Sequence, residues 1–493
     1  MAITRRQFIR RSGLATAGAL FGPRLFGSPW LQQAAASTIG DRYLVVLFLD
    51  GGNDGLNTIT PVSGALRPHY ETARKANSGG IRLGGDLLVP ASSFSDPNTG
   101  SQLGFHPGLG GMPSGPGAGG LAAMYDADMV AVLQGCGYPE YTLSHEVSRS
   151  IWETGSPFSG AGTGWMGRYL AASGYTGSDI PAVGIGGSVP GEFLQTATSV
   201  LSFDRVRDFG FPYDTWYDDD DSPDDTAVKN AVFSSLCASA TANPHPMMQY
   251  LGTTGSSTLL ASNSYPGLHQ LYRDDREAWD GMYSGDNGLS TSTARGFREI
   301  AKVIYGVAQG VPNVNARFFQ VTNGGYDTHS DQGGGDPEGQ HFLLHREVSA
   351  AIKLFYDDLA DMASGAPGGS GLANLPDKVC VMVWSEFSRR IPQNENGTDH
   401  GSQGPMFVIG GGVNAGVYGN HPNISPAAIE DDGNGNTEYK QTGSYRSTDF
   451  RDVYGTVMKH WLNLPSPGLL LPLDVGPASD YWTVPNFDLP LFL

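Results

Sequence analysis

The chain has 493 residues and a formal net charge of −19, and 16% of its residues are charged. This length allows a large core, and the acidic balance argues against nucleic-acid or anionic-lipid partners because no basic stripe offsets the repulsion. Three cysteines exclude a disulfide framework, and 69 glycines with 32 prolines predict many loops on a compact body, not a coiled coil or a disordered chain.

The amino terminus is predicted to be a twin-arginine export signal. The run TRRQFIR at 4–10 precedes a modest apolar stretch at 13–26, and the alanines at 34–36 supply small residues for cleavage. A basic amphipathic helix is the alternative. The apolar stretch is too short and too interrupted to span a bilayer. We therefore expect cleavage after Ala36, contact with the twin-arginine export machinery, and a periplasmic or extracellular mature protein with no stable membrane span.

The remaining residues, 37–493, alternate between strand-like and helix-like segments. Apolar runs predict core strands at 43–49, 129–134, 181–185, 316–321, 379–384 and 405–409. Helical spacing of apolar residues predicts helices at 297–308, 347–362 and 450–462. This alternation predicts one α/β domain, with a doubly wound, mostly parallel sheet flanked by helices and a helical insertion at about 204–310. The acidic run at 214–225 is interpreted as a solvated loop or as a calcium site.

Acids and histidines lie in four turns beside these strands. The candidate metal ligands are Asp50, Asp327, His329, Glu386, Asp399 and His400. The first four follow the strands at 43–49, 316–321 and 379–384, and the last two precede the strand at 405–409. Ligands gather at the carboxyl ends of strands in parallel α/β sheets. The pattern therefore predicts a divalent-metal site, with zinc, manganese, calcium or magnesium as the candidate ion.

Each motif also has a plainer structural interpretation. Asp50 can close its strand in an Asx-turn. Asp327 can cap a turn beside a surface histidine, His329, and Glu386 can pair with the arginines at 389–390. We favour the metal site because these motifs occur together at strand ends.

Two further histidines, His341 and His345, are spaced for one helical face. We interpret this pair as solvated or hydrogen-bonded residues at the start of the next helix, not as ligands.

A candidate nucleophile precedes a predicted helix at 146–154. Thr142, Ser144 and His145 lie near its amino terminus, where free N–H groups could stabilise an oxyanion and a metal could lower a hydroxyl pKa. The equally weighted alternative is an N-cap hydroxyl with His145 in the first turn. The sequence has no G-x-S-x-G motif, which argues against an α/β-hydrolase.

Five motifs resemble the exported family catalogued as domain of unknown function 1501. They are LFLDGGNDGLNTITP, SHEVSRSIWETG, GGYDTHSD, WSEFSRR with GTDHGSQGP, and TDFRDVYGTVMKHWLNL. They occur in the family's order between about Asp41 and Leu464. That family is similar to the alkaline phosphatase and sulfatase superfamily. The resemblance implies an alkaline-phosphatase-like fold and a binuclear metal site for phosphoryl or sulfuryl transfer through a Ser, Thr or modified Cys nucleophile.

The resemblance also implies roles for individual residues. Asp50 matches a first-strand metal ligand, Asp327 with His329 an Asp/His pair, and His400 a late metal histidine. Glu386 lies where an Asp of an Asp-His pair is expected, and Ser144 or Thr142 falls near the nucleophile segment.

This chain departs from the superfamily pattern at several points. The superfamily's Asp and His are commonly spaced D-x-x-x-H, whereas Asp327 and His329 are two apart, and Phe387, not histidine, follows Glu386. Asp399 and His400 could instead be the Asp-His pair. The sequence has no C-x-P-S-R motif, so formylglycine sulfatase chemistry is not expected.

The sequence thus favours an exported metal-dependent hydrolase that acts on phosphate or sulfate esters of small-molecule or polymeric anionic substrates. The alternative is a non-catalytic binding protein, or an envelope-associated protein, that retains the metallohydrolase scaffold.

Overall fold

The computed structural model describes residues 40–76, 79–138, 141–158, 160, 162–175, 178–195, 198–210, 223–283, 289, 291–364, 372–425, 448–473 and 485–493. The export signal predicted at 1–36 and residues 214–222 of the acidic run lie outside these residues, and of residues 223–225 only the backbone is described.

The described residues form thirteen strands. They are β1 (Tyr43–Asp50), β2 (Ile59–Pro61), β3 (Leu103–Phe105), β4 (Val130–Gly137), β5 (Ala182–Ile185), β6 (Val200–Phe203), β7 (Phe318–Gly324), β8 (Val379–Trp384), β9 (Ser388–Arg389), β10 (His400–Gly401), β11 (Gly404–Ile409), β12 (Gly416–Tyr418) and β13 (Thr448–Asp449). Nine of them make one sheet in the order β12-β4-β11-β8-β1-β7-β5-β6, with β13 also paired to β4. The pairs β2–β3 and β9–β10 form two small ribbons outside it.

The predicted α/β class is confirmed, and all six predicted strands lie in the main sheet. The sheet is mixed: β11 runs antiparallel to β4 and β8, and the other pairings are parallel. Because β11 is reversed, its first residue, Gly404, lies opposite Cys136 near the end of β4. The turn that precedes β11 is therefore at the same edge as the turns that follow β1, β7 and β8.

Helices cover both faces of the sheet. The α-helices of the described ranges are α1 (Gly55–Thr58), α2 (Arg67–Ala73), α3 (Gly120–Asp126), α4 (His145–Thr154), α5 (Trp165–Ala172), α6 (Pro223–Thr241), α7 (Pro246–Asp275), α8 (Glu277–Met282), α9 (Ser292–Ala308), α10 (Gln340–Ala363), α11 (Leu375–Lys378) and α12 (Phe450–Thr456). The helices predicted at 297–308 and 347–362 lie within α9 and α10, and the one predicted at 450–462 is α12 followed by a π-helical turn at Val457–Trp461.

Strand β1 shows why two helical layers form. Leu44, Val46 and Phe48 pack with residues of α4, α5 and α12, whereas Val45 and Leu47 pack with residues of α3, α9 and α10 on the opposite face. Successive side chains of a strand point to opposite faces, so a continuously apolar strand requires cover on both.

The predicted insertion contains α6, α7, α8 and α9. Helix α6 packs along α7, and α9 contributes Phe297 and Ile300 to the core of the sheet. Within the ranges given above, no helix is both long and apolar enough to cross a membrane.

Candidate metal centre

The predicted ligands come together at one edge of the sheet. Asp50 lies opposite Gly324 in the β1–β7 register, so the turns that follow these strands are neighbours. His400, in β10, pairs with Arg389 of β9, which places the late Asp-His motif beside the segment that follows β8. His145 is the first residue of α4, which follows β4.

Three imidazoles converge on one carboxylate oxygen. The Oδ1 atom of Asp327 lies 3.1 Å from Nε2 of His329, 3.1 Å from Nε2 of His400 and 3.6 Å from Nε2 of His145. The Nε2 atoms of His329 and His400 are 2.9 Å apart. One ligand atom each from His145, Asp327 and His400 lies within 4.8 Å of the others, a spacing that suits a shared cation.

The other nitrogen of each ring faces a hydrogen-bond acceptor. The three Nδ1 contacts are His145 to Oε1 of Glu386 at 2.7 Å, His329 to Oδ1 of Asp399 at 3.0 Å, and His400 to the carbonyl of Leu143 at 2.8 Å. An acceptor at Nδ1 selects the tautomer that carries its proton there and leaves the Nε2 lone pair free. Metal-bound histidines show this arrangement. The buried Nε2 of His145 has no hydrogen-bond partner, as expected for an atom directed at an ion.

Glu386 is the acceptor that faces the Nδ1 atom of His145. It is fully buried, and its carboxylate accepts the N–H of Gly51 at 3.0 Å, the N–H of Gly52 at 3.1 Å and the Ser385 hydroxyl at 3.2 Å. These hydrogen bonds, with the one from His145, occupy both carboxylate oxygens. Hydrogen bonding and the charge of Glu386 raise the pKa of His145. Its position suits an outer-sphere partner of the histidine.

Arg389 pairs with Asp327, whereas the sequence offers it as a partner of Glu386. Its Nη2 lies 2.6 Å from Oδ1 of Asp327. Its guanidinium also donates to the carbonyls of Gly52 at 2.7 Å and Thr398 at 3.0 Å. Burial raises the pKa of Asp327, but Arg389, followed by His400 and His329, outweighs burial and lowers that pKa to about 2. Asp327 is therefore a carboxylate at neutral pH.

Asp50 does not belong to the group of His145, Asp327 and His400, whose ligand atoms lie within 4.8 Å of one another. Its backbone carbonyl accepts the N–H of Tyr326 at 3.1 Å, which joins the turn after β1 to the turn after β7. Burial, followed by the charge of Glu386, raises the pKa of the Asp50 carboxyl, and Asp327 adds to this effect. A half-buried carboxyl of raised pKa next to such a centre is suited to proton transfer.

The two hydroxyl candidates differ in their surroundings. Ser144 occupies the N-cap position of α4, but its exposed side chain makes no capping hydrogen bond. The hydroxyl of Thr142 is already engaged, because it accepts the N–H of Ser144 at 3.2 Å. Of the two, Ser144 thus has the accessible hydroxyl, and it directly precedes His145.

His341 and His345 are not solvated, so that part of the prediction is wrong. Both are buried on α10, and each is hydrogen-bonded, as the other part of the prediction states: His341 to Asn53 at 3.1 Å and His345 to Thr58 at 3.1 Å. His106, which the sequence interpretation did not single out, packs its ring 5.0 Å from each. Burial lowers the pKa of all three, so they lie neutral beneath the turn that follows β1.

The centre is open to solvent on one side. The exposed fraction of the side chain is 49% for Asp327 and 45% for His329, whereas Glu386 and Arg389 are completely covered. A cation held by the three Nε2 atoms and the Asp327 carboxylate would be reachable by a dissolved molecule, while Glu386 and Arg389, which contact His145 and Asp327, are shielded from water.

Comparison with known proteins finds one family whose model matches part of this chain. No curated protein matches this chain. Residues 307–441 match the family described as "Protein of unknown function (DUF1501)", and this segment carries Asp327, His329, Glu386, Asp399 and His400.

Proposed function

We propose that this chain is an exported metal-dependent hydrolase of phosphate or sulfate esters, with one divalent cation held by His145, His329, His400 and Asp327. The observation that carries the proposal is the convergence of three Nε2 atoms on one carboxylate oxygen, each ring having its Nδ1 atom against an acceptor. With the proton at Nδ1, each ring would direct its Nε2 lone pair at this one region, and a cation there would accept all three lone pairs.

Zinc suits this set of donors best among the predicted ions. Imidazole nitrogen with one carboxylate oxygen is a zinc-type ligand set, whereas calcium and magnesium prefer oxygen alone. The resemblance to alkaline phosphatases implies two ions. A single ion agrees better with the contacts of Glu386, whose oxygens are occupied by N–H groups of the turn after β1 and by His145.

The surrounding residues can supply the remaining chemistry. A bound cation would polarise an ester oxygen and lower the pKa of a nearby hydroxyl. The Ser144 hydroxyl, accessible and adjacent to His145, is the proposed nucleophile. The Asp50 carboxyl, with its raised pKa, would accept or return the proton. Arg389 holds the Asp327 carboxylate in its charged form.

A specific observation favours the alternative of a non-catalytic binding or envelope-associated protein. Three histidines and one aspartate are four protein ligands, the number found in structural zinc sites, whereas catalytic zinc sites keep a position open. In that case the cation would stiffen this edge of the sheet, and turnover would be absent.

The decisive experiment combines metal analysis with turnover. The mature protein, residues 37–493, is analysed for bound metal and assayed with aryl phosphate and aryl sulfate esters, before and after chelation and zinc addition. His400→Ala is the test variant. His460→Ala is the matched control, because His460 contacts Asp488 at 3.0 Å and its carbonyl contacts Arg42, at the opposite end of β1 from Asp50.

Metal with turnover that His400→Ala abolishes supports the hydrolase. Metal without turnover supports the alternative. Absence of metal binding after zinc addition refutes both assignments of the centre.

A further inference from the structure

A buried glutamine connects the three turns that surround the metal centre. Gln332 is completely inaccessible to solvent. Its Nε2 donates to Oδ2 of Asp54 at 2.6 Å, and its Oε1 accepts the hydroxyl of Thr328 at 3.2 Å and the hydroxyl of Thr398 at 2.9 Å. One side-chain amide therefore contacts three separate segments of the chain.

Each of these three partners lies in one of the turns that surround the proposed metal centre. Asp54 is in the turn after β1, Thr328 lies between two proposed ligands, and Thr398 is two residues before His400. The backbone reinforces this junction, since the N–H of Thr398 donates to the carbonyl of Thr328 at 3.1 Å and the N–H of Gln332 to the carbonyl of Asn396 at 3.1 Å. The separation of the His329 and His400 rings therefore depends on how these segments are held together.

The surroundings of Gln332 allow one orientation of its amide. Asp54 is buried and paired with Arg74, whose Nη2 lies 2.8 Å from Oδ1 of Asp54. A carboxylate accepts hydrogen bonds and cannot donate, so the amide nitrogen must face Asp54. The amide oxygen is then directed at the two threonine hydroxyls, both of which can donate to it. A reversed amide would place its oxygen against the carboxylate and leave buried groups unsatisfied.

We propose that Gln332 is a positioning residue of the metal centre, which fixes the turn of Asp327 and His329 against the turn of His400. The inference rests on the proposed function only for its consequence, metal affinity. The positioning itself is a property of the metal-free protein. Hydrogen-bond partners outside the ligand set typically change metal affinity by about 10-fold to 100-fold when they are removed.

The test uses substitutions that preserve volume. Gln332→Met removes all three hydrogen bonds, and Thr398→Val removes one of them with little change of shape. The matched controls are Gln320→Met and Thr60→Val. Each deletes a hydrogen bond of a buried side chain elsewhere, from Gln320 to Thr322 at 3.0 Å and from Thr60 to the Leu56 carbonyl at 2.9 Å. Thermal unfolding of the metal-free proteins measures the general cost of losing such a bond.

Two readouts separate positioning from stability. Nitrogen-15 NMR of the imidazoles, recorded without metal, reports the Nε2 environment of His329 and His400. Zinc affinity by competition with a chelating dye, together with the visible spectrum of the cobalt-substituted protein, reports the ligand geometry. We expect Gln332→Met to shift both imidazoles, to weaken zinc binding by about 10-fold to 100-fold and to change the cobalt spectrum. Thr398→Val should act in the same direction, and the two controls should have no such effect.

Imidazole signals and zinc affinity equal to those of the controls would overturn the inference, whatever the loss of thermal stability. If the unsubstituted protein bound no zinc, the proposed function would fall, and the imidazole signals of the metal-free variants would still decide whether Gln332 positions the two turns.

Discussion

The Nε2 atoms of His329 and His400 lie 2.9 Å apart, although the Nδ1 atom of each ring already faces an acceptor. Two neutral rings of this tautomer direct lone pairs at each other, which is unfavourable unless a proton or a cation lies between them. Asp327 approaches both nitrogens at 3.1 Å and adds negative charge at the same point. A cation satisfies all three groups at once.

Zinc should therefore stabilise the folded protein. A ligand that binds only the native state adds about 2.7 kcal/mol to the free energy of unfolding at a free concentration of 100 times its dissociation constant. We expect the melting temperature of the mature protein to rise with zinc and His400→Gln to remove this rise. His460→Gln should retain it. An equal response of the two variants to zinc would contradict the proposed ligand set.

Glu386→Gln should weaken zinc binding without abolishing it. The substitution keeps the shape of the side chain, but it removes the charge that orients His145 and replaces an acceptor of the N–H groups of Gly51 and Gly52 with an amide. We expect affinity to fall by about 10-fold to 100-fold, measured by dye competition. Glu395→Gln, on an exposed side chain, is the control. Complete loss of zinc would instead indicate that Glu386 binds the ion directly.

Gly51→Ala should damage the centre through the backbone. Gly51 has φ of +119°, and a Cβ atom there would lie 2.4 Å from the backbone nitrogen of Asp327. Strain and overpacking together should lower the free energy of unfolding by about 3 kcal/mol and displace Asp327, so zinc affinity should fall as well.

Gly100→Ala separates these two effects. Gly100 also has positive φ, +67°, but nothing lies within 4 Å of its added Cβ. The expected loss is about 1 kcal/mol of stability, with zinc affinity unchanged. Chemical denaturation and zinc titration of both variants measure the difference. Unaltered zinc affinity in Gly51→Ala would contradict the close coupling of the two turns.

Ser144→Ala and Thr142→Val should distinguish the two hydroxyls. If the proposed hydrolase uses Ser144, its removal should lower kcat by more than about 100-fold while zinc binding persists. The Thr142 hydroxyl is engaged by the N–H of Ser144, so Thr142→Val should change kcat by less than about 10-fold unless the N-terminal turn of α4 moves. Circular dichroism checks the fold, and an unchanged kcat in Ser144→Ala would exclude this nucleophile.

Glu192 should make the protein less stable at alkaline pH. Burial, followed by the charge of Glu153, raises the pKa of Glu192 to about 8 from an ordinary value of 4.5. The folded protein therefore holds a proton that the unfolded chain releases, and stability falls as pH rises from about 4.5 to about 8. The loss is on the order of a few kcal/mol.

Glu192→Gln should remove that part of the pH dependence, because a neutral amide does not titrate. Urea unfolding at pH 5 and pH 8 measures it, and Glu338→Gln, an exposed acid, is the control. A difference between the two pH values equal to that of the unsubstituted protein would show that Glu192 is not the group responsible.

The sequence by itself determined the α/β class, the six core strands and the set of residues at the strand ends. These features are local: a continuously apolar run forms a strand buried on both faces, and polar residues follow where the strand leaves the core. Asp327, His329 and His400 were accessible to prediction for this reason, since each lies beside such a run.

Only the tertiary structure decided which side chains meet and in what role. The reversal of β11 places His400 at the same edge as Asp327, and the start of α4 brings in His145, which the sequence suggested only as a catalytic residue. Glu386 and Arg389 do not pair with each other, because each contacts a group far away in sequence, His145 in one case and Asp327 in the other. Such pairings depend on strand order and direction, which hydrophobic periodicity does not encode.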